Sequence, residues 1–203
     1  MNLSILIHTF NQYQHLWPGC LSAWSGVNTS GFPKYFGTDT SDHKIRSFGG
    51  FRPLYSGIGE WSDRLRSLVT QIDTPYIMYA QEDHWPTGSP PDLEEMMKIV
   101  TQKGILRLQL SPINRFYKLE GEGIPQYFTP ESKYLVSHQP SIWKKSFLID
   151  CLRPGETPWV NEYRGTLRWQ ETSHKRNFIR GKIAIYPCDW FSHRCIKGRV
   201  VES

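Results

Sequence analysis

The sequence lacks the features that mark several large classes of protein. Its 203 residues include only four cysteines, and none of these forms a Cys-x-x-Cys pair. Their spread gives no zinc-site pattern, although four thiols could form two disulfides. The chain has no apolar run long enough to cross a bilayer and no block of five or more basic residues. We therefore expect no membrane span, and the charge pattern argues against nucleic acid as a partner.

Short catalytic motifs are missing as well. The sequence contains no P-loop, GxSxG, HExxH or GxGxxG pattern, which argues against ATPases, hydrolases, zinc proteases and dinucleotide-binding enzymes. It also shows no secretory signal, because Met1 leads within two residues into an apolar run. The expected compartment is the cytoplasm, that of the host cell if the protein is viral, with reduced thiols.

The composition is typical of one globular domain, 1–203. Hydrophobic residues make up 38% and charged residues 21%, and no linker rich in Pro, Gly or Ser divides the chain. The formal net charge of +5 is compatible with a ligand that carries phosphate.

Apolar runs alternate with helical stripes over the first 110 residues, which predicts an α/β fold with a mostly parallel central sheet and flanking helices. The second half is expected to contain more loops. The predicted strands are 3–7, 34–37, 76–80, 105–110, 134–136 and 182–186; the predicted helices are 16–24, 61–72, 88–100 and 141–152; the predicted loops are 48–59, 117–132 and 155–165.

Polar residues follow three of the predicted strands, at 8–10, 38–39 and 81–84. Ligands of parallel sheets bind beyond the carboxyl ends of the strands, so these residues are expected to share one edge. The sequence Glu82-Asp83-His84 is the strongest candidate site, because a cation bridging carboxylate oxygens and a diphosphate would offset the charge of a leaving group. An acidic turn that only ends the strand is the structural alternative.

The order of these elements resembles the nucleotide-sugar-binding half of GT-A fold glycosyltransferases. The similarity is greatest to small single-domain transferases of bacteria and phages that are related to the family-2 glycosyltransferases. It rests on Trp61-x-x-Arg64-Leu65, Glu82-Asp83, Gln139-Pro140-x-Ile142-Trp143 and Gly155-Glu156-x-Pro158-Trp159-x-x-Glu162. The resemblance implies a nucleotide-sugar-binding half, 1–111, and an acceptor or catalytic half, 112–203.

On the donor side, the resemblance implies that Thr9, Phe10, Asn11 and Asp39 hold the base and ribose. Asp83 would be the direct ligand of Mn²⁺ or Mg²⁺, and Glu82 would act through water or orient its neighbours. The third position departs from the Asp-x-Asp pattern of these enzymes, because it is His84. Imidazole is a poorer ligand for Mg²⁺ than for Mn²⁺.

The resemblance also assigns residues later in the chain. It implies Glu162 as the base that takes the acceptor proton, with Glu156 as a second candidate that could instead cap or pair locally. His193 is a candidate metal ligand and Lys197 a candidate diphosphate ligand, unless both belong to a frayed basic end. Three residues have a functional and a structural interpretation: Trp143 and Trp159 either stack on sugar or lie in the core, and Arg64 either reaches the nucleotide or solvates its helix.

The implied activity is transfer of a sugar from a nucleotide-diphosphate donor, with a UDP-sugar favoured, to a hydroxyl group of a saccharide or other acceptor. Inversion is expected because a candidate base is present. One alternative is a sugar nucleotidyltransferase, although the turn at 8–12 lacks the glycine and basic residue of those enzymes. The other is a non-catalytic module that binds carbohydrate or nucleic acid.

Overall fold

The structure is a computed structural model that describes residues 2–29, 31–40, 50–88 and 90–193, with the backbone of 195–196 and 199–200. Among these residues, a 3₁₀ helix, Asn11–Leu16, precedes six α-helices. These are α1 Trp17–Ser25, α2 Trp61–Thr70, α3 Leu93–Gln102, α4 Lys145–Cys151, α5 Pro158–Gln170 and α6 Ser173–Ile179. The strands are β1 Leu3–His8, β2 Lys34–Thr38, β3 Arg52–Tyr55, β4 Tyr76–Gln81, β5 His84–Pro86, β6 Arg107–Leu110, β7 Leu119–Glu120, β8 Gln126–Phe128, β9 Ser141–Lys144, β10 Ile183–Tyr186, β11 Phe191–His193, β12 Cys195–Ile196 and β13 Arg199–Val200.

Nine of these strands form one central sheet in the order β3-β2-β1-β4-β9-β6-β10-β8-β7. Strands β3, β2, β1 and β4 pair in parallel. Only β9 and β8 run against the other strands of this sheet, because each pairs antiparallel with both of its neighbours. The predicted α/β fold with a mostly parallel sheet is confirmed.

The alternation of side chains along the buried strands divides the core into two layers. In β1, Ile5 and Ile7 contact one hydrophobic cluster, whereas Leu6 contacts the other. The first cluster includes the buried faces of α1 and α3, and the second includes those of α2 and α4. A strand that is buried at every position, as β1 is, fits a sheet covered by helices on both faces.

Several local predictions for the second half were wrong. The segment predicted as a helix from Ser141 begins with β9, a buried strand between β4 and β6. Residues 134–136 form no strand; instead the carbonyl oxygens of Tyr134 and Leu135 accept hydrogen bonds from the buried Arg107 guanidinium at 3.1 and 2.7 Å.

Three predicted loops contain regular structure. Strand β3 lies within 48–59, and β7 and β8 lie within 117–132. Helix α5 occupies most of 155–165 and begins at a Thr157 cap, with Pro158 in its first turn. Gly165 obscures this helix in the sequence, but a Cβ at that position would lie 3.2 Å from Val136. Gly165 therefore allows α5 to pack closely against Val136 and does not mark a loop.

Among the described residues, no helix is both long and apolar enough to span a membrane. Of the cysteines, Cys20 and Cys151 are buried, and burial raises the pKa of the Cys151 thiol to about 12. Such thiols behave as small core side chains and not as nucleophiles.

Candidate active site

The three polar turns predicted to share an edge of the sheet do so. Because β1, β2 and β4 are parallel neighbours, their carboxyl ends lie together. They open into a cavity of about 600 Å³. Later parts of the chain, including the start of α5, close its other side. Its lining includes His8, Thr9, Phe10, Asp39, Arg64, Glu82, Asp83, His84, His138, Trp159, Glu162 and His193.

Asp83, His84 and His193 form a compact cluster in this cavity. Asp83 lies in the turn after β4, His84 is the first residue of β5, and the short β5–β11 ribbon brings His193 opposite His84. The His193 Nε2 lies 2.7 Å from Asp83 Oδ2, and the two imidazole rings stack with their centroids 5.1 Å apart. One ligand atom from each of the three residues lies within 4.8 Å of the others. The ribbon therefore joins an early and a late segment of the chain at one point.

The donor atoms of this cluster fit a divalent cation. His84 Nδ1 is 3.1 Å from Asp83 Oδ1, but the contact lacks hydrogen-bond geometry. Neither ring nitrogen of the buried His84, nor Asp83 Oδ1, has a hydrogen-bond partner among the described residues. Two imidazoles and one carboxylate suit Mn²⁺ or another borderline metal better than Mg²⁺, which prefers oxygen ligands alone.

The two acidic residues of the motif differ in charge. Burial, followed by repulsion from Asp83, raises the pKa of Glu82 to about 8, so Glu82 is mostly protonated at neutral pH. Burial acts in the same direction on Asp83, but contacts with His193 and His84 outweigh it and hold the Asp83 pKa well below its usual range. The hydrogen bond to Asp83 in turn raises the pKa of His193. Asp83 is therefore the ionised carboxylate of the pair.

The turns after β1 and β2 are tied together. The backbone N–H of Asn11 donates to Asp39 Oδ1 at 2.8 Å. Thr9 is buried and its hydroxyl accepts a hydrogen bond from Trp17 Nε1 at 2.8 Å, so this side chain supports the turn. Of these residues, Thr9 and Asp39 line the cavity.

Arg64 lies on the cavity side of α2. Its guanidinium is 4.2 Å from the centre of the Phe10 ring, and its Nε has no hydrogen-bond partner among the described residues. Burial lowers the Arg64 pKa, although Asp39 and Glu82 act in the opposite direction. Only 7% of the residue is exposed, so the interpretation of Arg64 as a solvated surface residue is wrong. It supplies a buried positive charge at the cavity.

Glu162 lines the opposite side of the cavity. Its Oε1 accepts a hydrogen bond from the backbone N–H of His138 at 2.6 Å, and no described residue hydrogen-bonds its Oε2. Glu162 is one turn of α5 beyond Trp159, which is 75% exposed at the rim of the same cavity. A fixed carboxylate with one oxygen left for a ligand is a suitable general base.

Three predicted site residues do not line the cavity: Asn11, which contributes its backbone N–H to Asp39, and Glu156 and Trp143. Glu156 is buried and bound by both Arg168 and Asn161, with its Oε1 2.7 Å from Arg168 Nη1. Its carboxylate is thus used within the protein. Trp143 is fully buried in the core between the sheet and α4, so it has no face on which a sugar could stack. The sequence suggested both because it shows their motif but not the direction of each side chain. Lys197 lies outside the described residues.

No protein-family model and no curated protein matches the sequence. The structure, however, is similar to that of residues 1–349 of the S. aureus glycosyltransferase TarS, with a TM-score of 0.61 at 13% identity. The match covers 94% of this chain and 59% of that one. The same fragment in complex with UDP also gives a TM-score of 0.61, at 14% identity and with the same coverage.

A second match is to a putative glucose-1-phosphate thymidylyltransferase from Bacillus anthracis in complex with a sucrose. Its TM-score is 0.56 at 10% identity, covering 94% of this chain and 89% of that one. The chain has a GT-A-like fold. The present chain is shorter than the TarS fragment and spans 59% of its length.

The cavity residues of this GT-A-like chain that the sequence analysis did not assign include two histidines, His8 and His138. Both are 2% exposed. His8 is the last residue of β1, and its place at the sheet edge was the sequence signal for a site residue. His138 directly precedes the Gln139-Pro140 motif, but nothing in the sequence shows that it faces Glu162.

Proposed function

We propose that this protein is a metal-assisted glycosyltransferase that moves a sugar from a nucleotide-diphosphate donor, with a UDP-sugar favoured, to a hydroxyl group of a saccharide acceptor. One observation carries the proposal. The cluster of Asp83, His84 and His193 shares a single cavity with the carboxylate of Glu162. One side of the cavity is suited to a diphosphate and the other to an acceptor hydroxyl.

The donor nucleotide would bind at the turns after β1 and β2. Asp39, fixed by the Asn11 N–H, is an acceptor for a ribose hydroxyl or a base N–H. Phe10 and the guanidinium of Arg64 form a flat, positively charged surface beside it. Such a surface suits the base on one side and phosphate oxygens on the other. The TarS complex with UDP supports uridine as the nucleoside.

Asp83, His84 and His193 would hold the divalent cation. When bound, such a cation supplies positive charge that stabilises the departing diphosphate. Independently of it, Arg64 adds a buried cation on the same side, and its Nε–H, which has no hydrogen-bond partner among the described residues, would donate to a phosphate oxygen.

Glu162 would take the acceptor proton. The His138 N–H holds Oε1, which leaves Oε2 to accept the proton as the acceptor oxygen forms a bond to the anomeric carbon of the donor sugar. The bond from that carbon to the diphosphate breaks with its electron pair, and UDP leaves. A direct displacement of this kind inverts the anomeric carbon. Trp159, exposed at the rim, would provide an apolar face for the acceptor sugar.

Binding distinguishes this proposal from a non-catalytic module. A ligand that binds only the folded state raises the apparent melting temperature. We expect UDP with Mn²⁺ to stabilise the protein more than UDP alone, and more than GDP, CDP or TDP. Asp83→Ala should remove the Mn²⁺-dependent part, whereas Asp73→Ala, an exposed carboxylate far from the motif, should not. An unchanged Mn²⁺ effect in the Asp83 variant would refute the metal assignment.

Products distinguish it from a nucleotidyltransferase. The proposal predicts release of UDP from a UDP-sugar, in the presence of an acceptor or slowly to water. A nucleotidyltransferase would instead release pyrophosphate from a nucleoside triphosphate and a sugar 1-phosphate. Pyrophosphate release at a rate above that of UDP release would favour the alternative.

A further inference from the structure

A chain of buried hydrogen bonds runs from α5 to the cavity. The Asn161 Nδ2 donates to Glu156 Oε2 at 2.6 Å and to the carbonyl oxygen of Cys151 at 2.9 Å. Both partners are acceptors only, because contacts with Arg168 and Asn161 outweigh burial and lower the Glu156 pKa, keeping that carboxylate ionised. The amide of Asn161 therefore has a single allowed orientation, with its Oδ1 directed to the other side.

That orientation fixes the tautomer of His138. The Asn161 Oδ1 lies 2.9 Å from His138 Nε2 and can only accept. The His138 Nε2 must therefore carry a hydrogen. Burial lowers the His138 pKa to about 4, so the ring is neutral at pH 7 and its Nδ1 carries a lone pair. The ring is also held in place, since Trp61 and Trp143 contact it with centroids 4.3 and 6.2 Å away.

This Nδ1 is a buried acceptor without a protein donor. His138 lines the cavity, and its Nδ1 has no hydrogen-bond partner among the described residues. A buried polar atom of this kind is normally hydrogen-bonded, so a ligand is expected to supply the donor. Diphosphate oxygens are acceptors only and do not fit, whereas each sugar hydroxyl can donate. The backbone N–H of the same residue binds Glu162, which places it at the reacting end of the cavity and away from Asp39.

We infer that His138 Nδ1 accepts a hydrogen bond from a saccharide hydroxyl next to Glu162 and so determines which sugars bind. The inference rests on the proposed function. The hydroxyl belongs either to the donor sugar or to the acceptor sugar. A site built to bind a hydroxyl discriminates against sugars that lack it, because its buried acceptor is then left unpaired. In this view Asn161 and Glu156 are positioning residues that set the tautomer from outside the cavity.

Nitrogen-15 NMR of histidine-labelled protein tests the tautomer directly. The expected result at pH 7.5 is a neutral His138 ring with hydrogen on Nε2, and His138→Gln assigns the signals by their loss. A ring protonated on Nδ1 would overturn the inference whether or not the protein is a glycosyltransferase. The Nδ1 signal should then move when sugar is added, with Mg²⁺ as the diamagnetic cation. Movement with UDP-glucose or UDP-N-acetylglucosamine but not UDP indicates the donor sugar; movement with methyl glycosides added to the UDP complex indicates the acceptor.

Affinity provides the second measurement. For His138→Gln we expect unchanged affinity for UDP and a loss of about tenfold for the sugar that moved the Nδ1 signal, the effect of one hydrogen bond with an unpaired buried partner. Retained UDP affinity also shows that the variant folds. The exposed His174→Gln is the matched control and should change neither affinity. Equal sugar affinity of the wild type and His138→Gln would overturn the inference and leave the proposed function intact. Failure of UDP and every UDP-sugar to bind the wild type would overturn both.

Discussion

Exchanging Glu156 for Gln and, separately, Glu162 for Gln should affect two different properties of the protein. Glu156 is buried and accepts three hydrogen bonds from the side chains of Arg168 and Asn161, at 2.6 to 3.0 Å. In either orientation, the amide of a Gln would direct an N–H at one of these donors. It would also leave the Arg168 charge, which is three-quarters buried, without its counter-charge.

The size of the effect follows from these contacts. Removing one partner of a buried ion pair costs about 3–5 kcal/mol, and an isosteric Gln that keeps one acceptor should cost about 2–3 kcal/mol. At roughly 2–4 °C per kcal/mol for a chain of this length, Glu156→Gln should lower the melting temperature by about 5–10 °C. The chemical step should survive in the molecules that remain folded.

Glu162→Gln should behave in the opposite way. Its Oε1 accepts one backbone N–H, and a Gln retains an oxygen there, so the stability should change by less than about 1 kcal/mol. The loss of the proposed general base should reduce the turnover of UDP-sugar by about 10²- to 10⁴-fold. Urea unfolding and UDP release, measured on both variants below their melting temperatures, give the comparison. If Glu156→Gln were stable but inactive, and Glu162→Gln unstable but active, the assignment of the two roles would be refuted.

Three further predictions concern other parts of the cavity. The free energy of unfolding should fall by up to about 3 kcal/mol between pH 6.5 and 4 through His138, because its folded pKa of about 4 lies below the unfolded value and only the unfolded chain takes up a proton in that range. His138→Gln should flatten this part of the pH profile of stability measured with urea. A profile of the variant as steep as that of the wild type would contradict the prediction. A Cβ on Gly19 would clash with the Trp85 ring, so Gly19→Ala should displace β5 and weaken the Mn²⁺-dependent thermal shift with UDP. Gly26→Ala is the control and should have no such effect, because the nearest atom to its Cβ would be 3.8 Å away. Trp159→Ala should raise the KM for the acceptor sugar without changing UDP affinity, whereas an equal effect of the remote, exposed Phe178→Ala would argue against a stacking role.

The first half of the fold could be predicted because its signals are local. Strand β1 is apolar at almost every position, and the stripe from Trp61 to Val69 lies on one helical face. Some of these elements are also separated by a recognisable turn, such as Thr74-Pro75 before β4, whereas β3 lies within a predicted loop. Once the strands are known to be parallel, the positions of Asp39 and Asp83 at one edge follow from topology alone.

The second half could not be predicted because its structure depends on distant partners. No Gly or Pro separates β9 from α4, and the apolar residues Ile142, Trp143 and Phe147 fit a continuous helix equally well. What makes Ser141–Lys144 a strand is its pairing with β4 and β6 on both sides. The same pairing buries Trp143 and removes it from the cavity.

The site shows the same division. Positions at strand ends were predictable, and His193 was suggested by resemblance to a family. The resemblance implied Glu162 as the base and left local pairing open for Glu156, but the sequence could not show the contacts of either carboxylate, because both lie in one motif and only the direction of each side chain distinguishes them. The orientation of the His138 ring depends on a hydrogen bond with Asn161, which is 23 residues away in sequence. Asn161 lies in α5, which was predicted as a loop because the segment contains Gly165.

The pairing of β5 with β11 has a consequence for how the chain is held together. Asp83 and His193 are 110 residues apart in sequence, so an ion shared between them would act as a removable cross-link that closes a long loop. Removal of the ion by a chelator would then weaken the β5–β11 ribbon and leave the parallel strands β3, β2, β1 and β4 intact. Hydrogen exchange confined to 191–193 would report whether the proposed metal site is filled, without any substrate present.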